Sequence, residues 1–463
     1  MASEAYHFLS GGDTARRSED YKTALKQYQS AIKSAPDDQS RSMAYCRKAV
    51  TLRTLGKYQE ALECLDQALD LNPYDPLVWF DKGNVLSALG RFEDASDAFK
   101  EALANDKTLA SAYNNLGNVL NKLGKTTEAR EAYEEALEND PKNDSVHCNK
   151  AYLFCEGGEY QLALDAYDQA LRLNKANLIA ICGKALVHYR LEQYDEALLM
   201  LNISLTQDPD LFVAYYLKGC CLHGLDLMEE ALENLDKAIE KNDDYKQAWL
   251  EKGKCLQDMG KLEQALRAYD QAISLEEDYE EAWYQKGLIL GKMPGKSDEA
   301  MECFKKLTKL NPGLALVWCE MGVLFYEVHE DYDKAIKCLK RATKLKEDFE
   351  KAWRYLGLAV LKGKTDVDGA LEFINTALDI EETADGWFNK GNILGRYKKD
   401  YKEAISCYDE AINILPKDAK SWYNKGIALG KLGRGDERTF CMNRVLEIDP
   451  QNQLALEALR GGE

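Results

Sequence analysis

Residues 112–129 read AYNNLGNVLNKLGKTTEA. Leu116, Val119, Leu120 and Leu123 recur at helical spacing. Yet Asn114, Asn115, Asn118 and Asn121 fall within eight residues of the same stretch, and asparagine is a mediocre helix former. The stretch recurs along the chain, and its recurrence decides the fold.

Aligned on Gly117, a small residue holds one position in thirteen units: Gly12, Ala49, Gly83, Gly117, Ala151, Ala185, Gly219, Gly253, Gly287, Gly322, Gly357, Gly391 and Gly426. The separations are mostly 34 residues, once 37 and three times 35. Twelve or thirteen residues further on stands alanine, from Ala24 to Ala404, and only the last unit departs, with Arg438. A second alanine follows seven residues later in ten units. All seven tryptophans lie four residues before the small residue, and seven of nine prolines close a unit. Composition bias does not produce such a register.

The unit resembles the tetratricopeptide repeat. Thirteen copies span roughly residues 5–452. The physics of the pattern agrees with the resemblance. Two helices approach closely where the small residue sits, a large side chain fills the space beside it, and proline ends the second helix. One unit cannot bury its own apolar face, so neighbours must stack. The resemblance implies an all-α, right-handed superhelical solenoid of antiparallel helix pairs, with the first helices lining a concave groove.

Two departures are systematic. Nine units carry lysine before the small residue, where the family favours leucine: Lys48, Lys82, Lys150, Lys184, Lys218, Lys252, Lys286, Lys390 and Lys425. This is similar to a lysine–glycine variant of archaeal repeat proteins. A methylene stem packed on the interface with its ammonium in water explains it. Repeats nine to twelve each insert one residue between their helices, as in KMPGKSDEA at 292–300. That divides the array into residues 1–279 and 280–452, followed by a short capping segment at 453–463. Harmless turn variation is the alternative.

Repeats leave no room for a separate catalytic domain. The five histidines occupy five different repeat positions, and no His-x-x-x-His or Cys-x-x-Cys spacing exists for a metal. The thirteen cysteines cluster by repeat position, which argues for packing. No nucleophile sits with a base and no phosphate loop appears. A non-catalytic protein with no cofactor is expected. The formal charge of -19 argues against nucleic-acid or anionic-membrane partners. No apolar run is long enough to span a bilayer. The N-terminus lacks a signal pattern, so free thiols and a cytoplasmic location are expected.

The second stripe of each first helix, which the resemblance turns toward the groove, falls into zones. Arg16, Arg47 and Arg53 make a positive mouth. Residues 1–57 hold ten basic and six acidic residues, a net +4 that leaves -23 for the rest. Next come Asn84, Asn114, Asn115, Asn118, Asn121 and Asn149, and the idea returns at Asn389, Asn392 and Asn424. Amides both donate and accept, so such a ladder suits a peptide backbone; exposed asparagine that merely avoids charge is the plainer account. A ladder of this kind resembles that of the protein O-glycosyltransferases. Repeats five to ten add Cys148, Tyr152, Cys182, Leu186, Tyr189, Tyr216, Cys220, Leu250, Tyr284 and Tyr326, an apolar stretch for an amphipathic helix or for self-packing. Arg354, Asn389 and Lys420 match part of the family's dicarboxylate clamp, but Leu358 and Asn424 break it. The expected function is a scaffold or adaptor that binds protein or peptide segments in the groove, acidic ones at the N-terminal end. The alternative is a permanent subunit or assembly factor of an enzyme complex. Oligomeric state does not follow from the sequence.

Overall fold

The computed structural model describes residues 2–460. Each of the thirteen repeats is an antiparallel helix pair, as in repeat four with Ala110–Lys122 and Thr126–Asn139, and no described residue is in a strand. The chain forms two compact units, Met1–Asn242 and Asp243–Glu463. The first holds repeats one to seven and the second repeats eight to thirteen. The division expected at 279/280 follows a different feature, the turn inside each repeat. Within each unit a second helix packs on its own first helix and on the first helix of the next repeat. This is the all-α solenoid that stacking requires. The last helix, Gln453–Arg460, buries Ala455 against Met442 and Val445 of repeat thirteen.

The small residue lies where the two helices of a pair meet. Sixteen or seventeen residues later the second helix presents a large side chain: Tyr28, Phe99, Tyr133, Tyr269, Phe304 and Tyr408 are at most 3% exposed. An added Cβ at Gly12, Gly83, Gly117, Gly287 or Gly391 would stand 2.5–2.7 Å from the corresponding ring. Glycine is demanded there by volume. The alanines of the second helix, Ala24 to Ala404, are fully buried, so that helix lies flush against its neighbours.

The lysine register has a fuller explanation than a solvated ammonium. Lys82, Lys150, Lys184 and Lys286 reach back sixteen residues to Asp66, Glu134, Asp168 and Asp270, at 2.6–2.8 Å. Lys425 pairs in the same way with Asp409, and Lys218 donates to Asn202 at 2.9 Å. Each partner lies on the second helix of the preceding repeat, so the pair crosses a repeat boundary. Lys82, Lys252, Lys286, Lys390 and Lys425 also stand 5.0–5.4 Å from the ring centre of the tryptophan three residues earlier. That indole is itself tied down: Trp79, Trp249, Trp283, Trp318, Trp353 and Trp422 donate to the carbonyl six residues back, at 2.8–3.0 Å. His147 takes the tryptophan slot in repeat five. Burial lowers its pKa, against a hydrogen bond to the Pro141 backbone that copies the indole bond. Lys286→Met keeps the stem and removes the charge. It should lower stability by about 0.2–1 kcal/mol at low salt, since both partners are partly exposed. Thermal melts should show the difference shrinking at high salt; a salt-independent difference would mean the stem alone matters.

The inserted residue of repeats nine to twelve is absorbed in four ways. Repeat nine turns through Gly295 at φ +76° and repeat ten through Glu330 at +50°. Repeat eleven prolongs its first helix to Lys364 and turns at Thr365. Repeat twelve takes the residue inside the helix, as a π turn over Leu394–Lys398. In the last three, Asp331, Asp366 and Asp400 cap the following helix through backbone N–H groups.

Candidate functional site

In the first unit the groove stripe is a connected polar surface. Arg47 pairs with Asp13 at 2.5 Å, and the other oxygen of Asp13 accepts the Tyr28 hydroxyl at 2.7 Å. Arg47 is therefore engaged within the protein. Arg16 and Arg53 are held less tightly. Both are half-buried, both have a buried Nε without a hydrogen-bond partner, and neither forms an ion pair among the described residues. Both act on Asp81, whose carboxyl is pushed up by burial and drawn back by Arg53, by hydrogen bonds from Cys46 and Asn84, and by Arg16. The Cys46 thiol donates to Asp81 at 3.5 Å. Burial and the Asp81 charge push that thiol up to about 12, so it stays protonated. Asp13 and Asp81 occupy stripe positions too; their acidity concealed them in a search for a positive mouth.

The asparagines divide by partner. Asn149 donates to Asn114 at 2.9 Å, Asn114 to Asn115 at 3.3 Å, and Asn115 to Asn84 at 2.7 Å. Asn84 in turn steadies Asp81. Four amides from three successive first helices thus form one relay, all donating in the same direction. Asn118 instead accepts the hydroxyl of the buried Tyr133 at 2.7 Å. Asn392 does the same for Tyr408 at 2.9 Å and also accepts Asn424 at 2.7 Å. Asn121 and Asn389 make no side-chain hydrogen bond among the described residues. The ladder is thus prebonded. Each relay amide keeps a second N–H.

The apolar zone is mostly filled by the protein itself. Cys148, Cys182, Cys220 and Leu250 are at most 8% exposed, whereas Tyr152 is 44% exposed. All thirteen cysteines are free thiols, and twelve are buried. Further along, Arg354 is taken by Glu350 at 2.7 Å and by Asp385 at 3.9 Å. Thr383 satisfies the same Glu350 oxygen at 3.1 Å. That arginine is spent on structure, which adds to the sequence reasons against a dicarboxylate clamp. Among the described residues no cluster of His, Cys, Asp and Glu could hold a metal, and no helix is long and apolar enough to cross a membrane.

Models described as tetratricopeptide repeat match residues 42–75, 64–95, 80–144, 132–165, 213–244, 280–314, 321–386 and 419–452. One described as TPR repeat matches 253–293 and 391–433. No curated protein matches the sequence. Among solved structures, that of the APC/C hetero-tetramer Cut9–Hcn1 is similar over 100% of this chain and 97% of its own, at 17% identity and a TM-score of 0.52. Yeast Tom70 aligns over 99% of this chain and 94% of its own, at 16% identity and a TM-score of 0.43. A tetratricopeptide repeat protein of Parabacteroides merdae aligns over 54% of this chain and 98% of its own, at 19% identity and a TM-score of 0.49.

Proposed function

Since the chain belongs to the tetratricopeptide-repeat family, we propose that it is a non-catalytic scaffold whose first helices bind segments of partner proteins. An acidic portion enters at the N-terminal end. The observation that carries this reading is the pair Arg16 and Arg53. Each is half-buried, with a buried Nε that has no hydrogen-bond partner and no ion pair among the described residues. A partly desolvated guanidinium with an unsatisfied donor is costly, and its fork matches a carboxylate in two bonds. The acidic remainder of the chain repels such a segment elsewhere and so directs it. The relay beside the arginines supplies donors for the backbone that follows. Thirteen free thiols suit a reducing cytoplasm.

Partners captured from the native cell and identified by mass spectrometry provide the ligand for a kinetic test. Arg53→Ala and Arg16→Ala should each slow association and flatten its dependence on ionic strength. Arg47→Ala should do less, because Asp13 already neutralises that side chain. Identical rates and salt slopes for wild type and the Arg16/Arg53 double variant would refute the acidic entry.

A further inference from the structure

The relay of amides has a direction, and some group must set it. An amide side chain carries its acceptor on one arm and its donors on the other, so committing one arm commits both. Asn149, Asn114 and Asn115 each donate to the next member, toward Asn84. Turned over together, the four amides would make the same three bonds among themselves, with donor and acceptor exchanged. Nothing within the relay prefers one sense.

The two ends differ. At the far end the Asn149 oxygen accepts no hydrogen bond among the described residues, so that end is indifferent to the sense. At the near end Asn84 meets Asp81, one turn earlier on the helix Pro76–Ala88. An ionised carboxylate only accepts. It therefore takes the amide N–H of Asn84 and leaves the Asn84 oxygen to face Asn115. Other elements hold Asp81 in that role. The Cys46 thiol donates to it at 3.5 Å. Arg53, from the helix Asp38–Thr54, and Arg16, from Ala2–Arg17, favour its ionised form against burial.

We propose that Asp81 is the anchor that fixes the sense of the whole relay, so that the charge on this one carboxylate is conveyed through the first helices of repeats three, four and five to Asn149. Each bond polarises the next, which favours one sense along the full chain of amides over a mixture. The relay is also an element with two discrete arrangements, which coupling between distant sites requires. A change of charge at Asp81 decides whether the Asn149 oxygen is left open or taken by Asn114. This holds for the protein without a ligand and does not depend on the function proposed above.

The test uses the full chain with asparagine isotopically labelled at its side-chain nitrogen, and follows the amide protons of Asn149 by nuclear magnetic resonance. Asn149→Ala identifies their signals by deleting them. Asp81→Asn keeps the size of the side chain, removes its charge and serves either sense of the relay. It should move the hydrogen-bonded Asn149 proton upfield, toward the position of a solvent-exposed asparagine. Asn84→Ala parts the relay from an unaltered Asp81 and should move the same proton in the same direction. Asn115→Ala cuts the relay midway; adding Asp81→Asn to it should leave Asn149 where Asn115→Ala alone puts it. Asp13→Asn removes an equal charge from repeat one, where Asp13 serves Arg47 and Tyr28, and should not move Asn149. A folded Asp81→Asn protein with its Asn149 signals unmoved would overturn the proposal. If that variant does not fold, unmoved signals in Asn84→Ala do the same. Equal shifts from Asp81→Asn with Asn115 present or replaced, or an equal shift from Asp13→Asn, would also overturn it, because a relayed effect needs the intervening amides.

Discussion

Gly253→Leu is expected to destabilise repeat eight by about 1–3 kcal/mol, with the loss of protection confined to that repeat and its neighbours. An added Cβ would land on the Tyr269 ring, which is 0% exposed and has no solvent to retreat into. Tyr269→Ala removes the obstacle but leaves a void, and aromatic-to-alanine changes in a core cost about 3–5 kcal/mol. Because the two side chains compete for one volume, the double variant should cost less than the sum of the singles. Hydrogen exchange resolves the spread. Protection lost evenly from the first repeat to the last would contradict stacking of near-independent pairs.

Asn115→Ala is expected to lower stability by about 1–2 kcal/mol, as two hydrogen bonds of a half-buried chain are lost together. It strands the oxygen of Asn84 and the amide of Asn114. Asn115 therefore serves the unliganded protein as well. Asn121, on the same helix, has no such bond, and Asn121→Ala should stay within about 0.5 kcal/mol of wild type. Denaturant midpoints of the two variants separate the cases. Equal midpoints would mean the relay adds nothing.

The pairing of helices was legible because one small residue and one large buried side chain sixteen or seventeen residues later must share a space, and that demand repeats thirteen times. The lysine bridges were half legible. Asp270 and Lys286 both stand in plain view, but their meeting depends on how a second helix crosses the next first helix. The asparagines were legible as a group and illegible as a relay, since Asn149 finds Asn114 across 35 residues and Asn115 finds Asn84 across 31. Asp13 and Asp81 were missed because charge was counted by sign, when opposite signs had been drawn together. The inserted residue of repeat twelve was visible; that a helix would swallow it, where three other repeats use a turn, was a matter of local packing.

The bridges across repeat boundaries make the repeats interchangeable parts. Lys82, Lys150 and Lys184 each reach an acid sixteen residues back, so every such joint has the same plug and the same socket. If the 34 residues from 140 to 173 were excised, Lys184 would find Glu134 at the same offset that Lys150 uses now. A gene that gains or loses one in-phase copy therefore mends its own seam, and the length of this surface is free to vary before any new contact has to be invented.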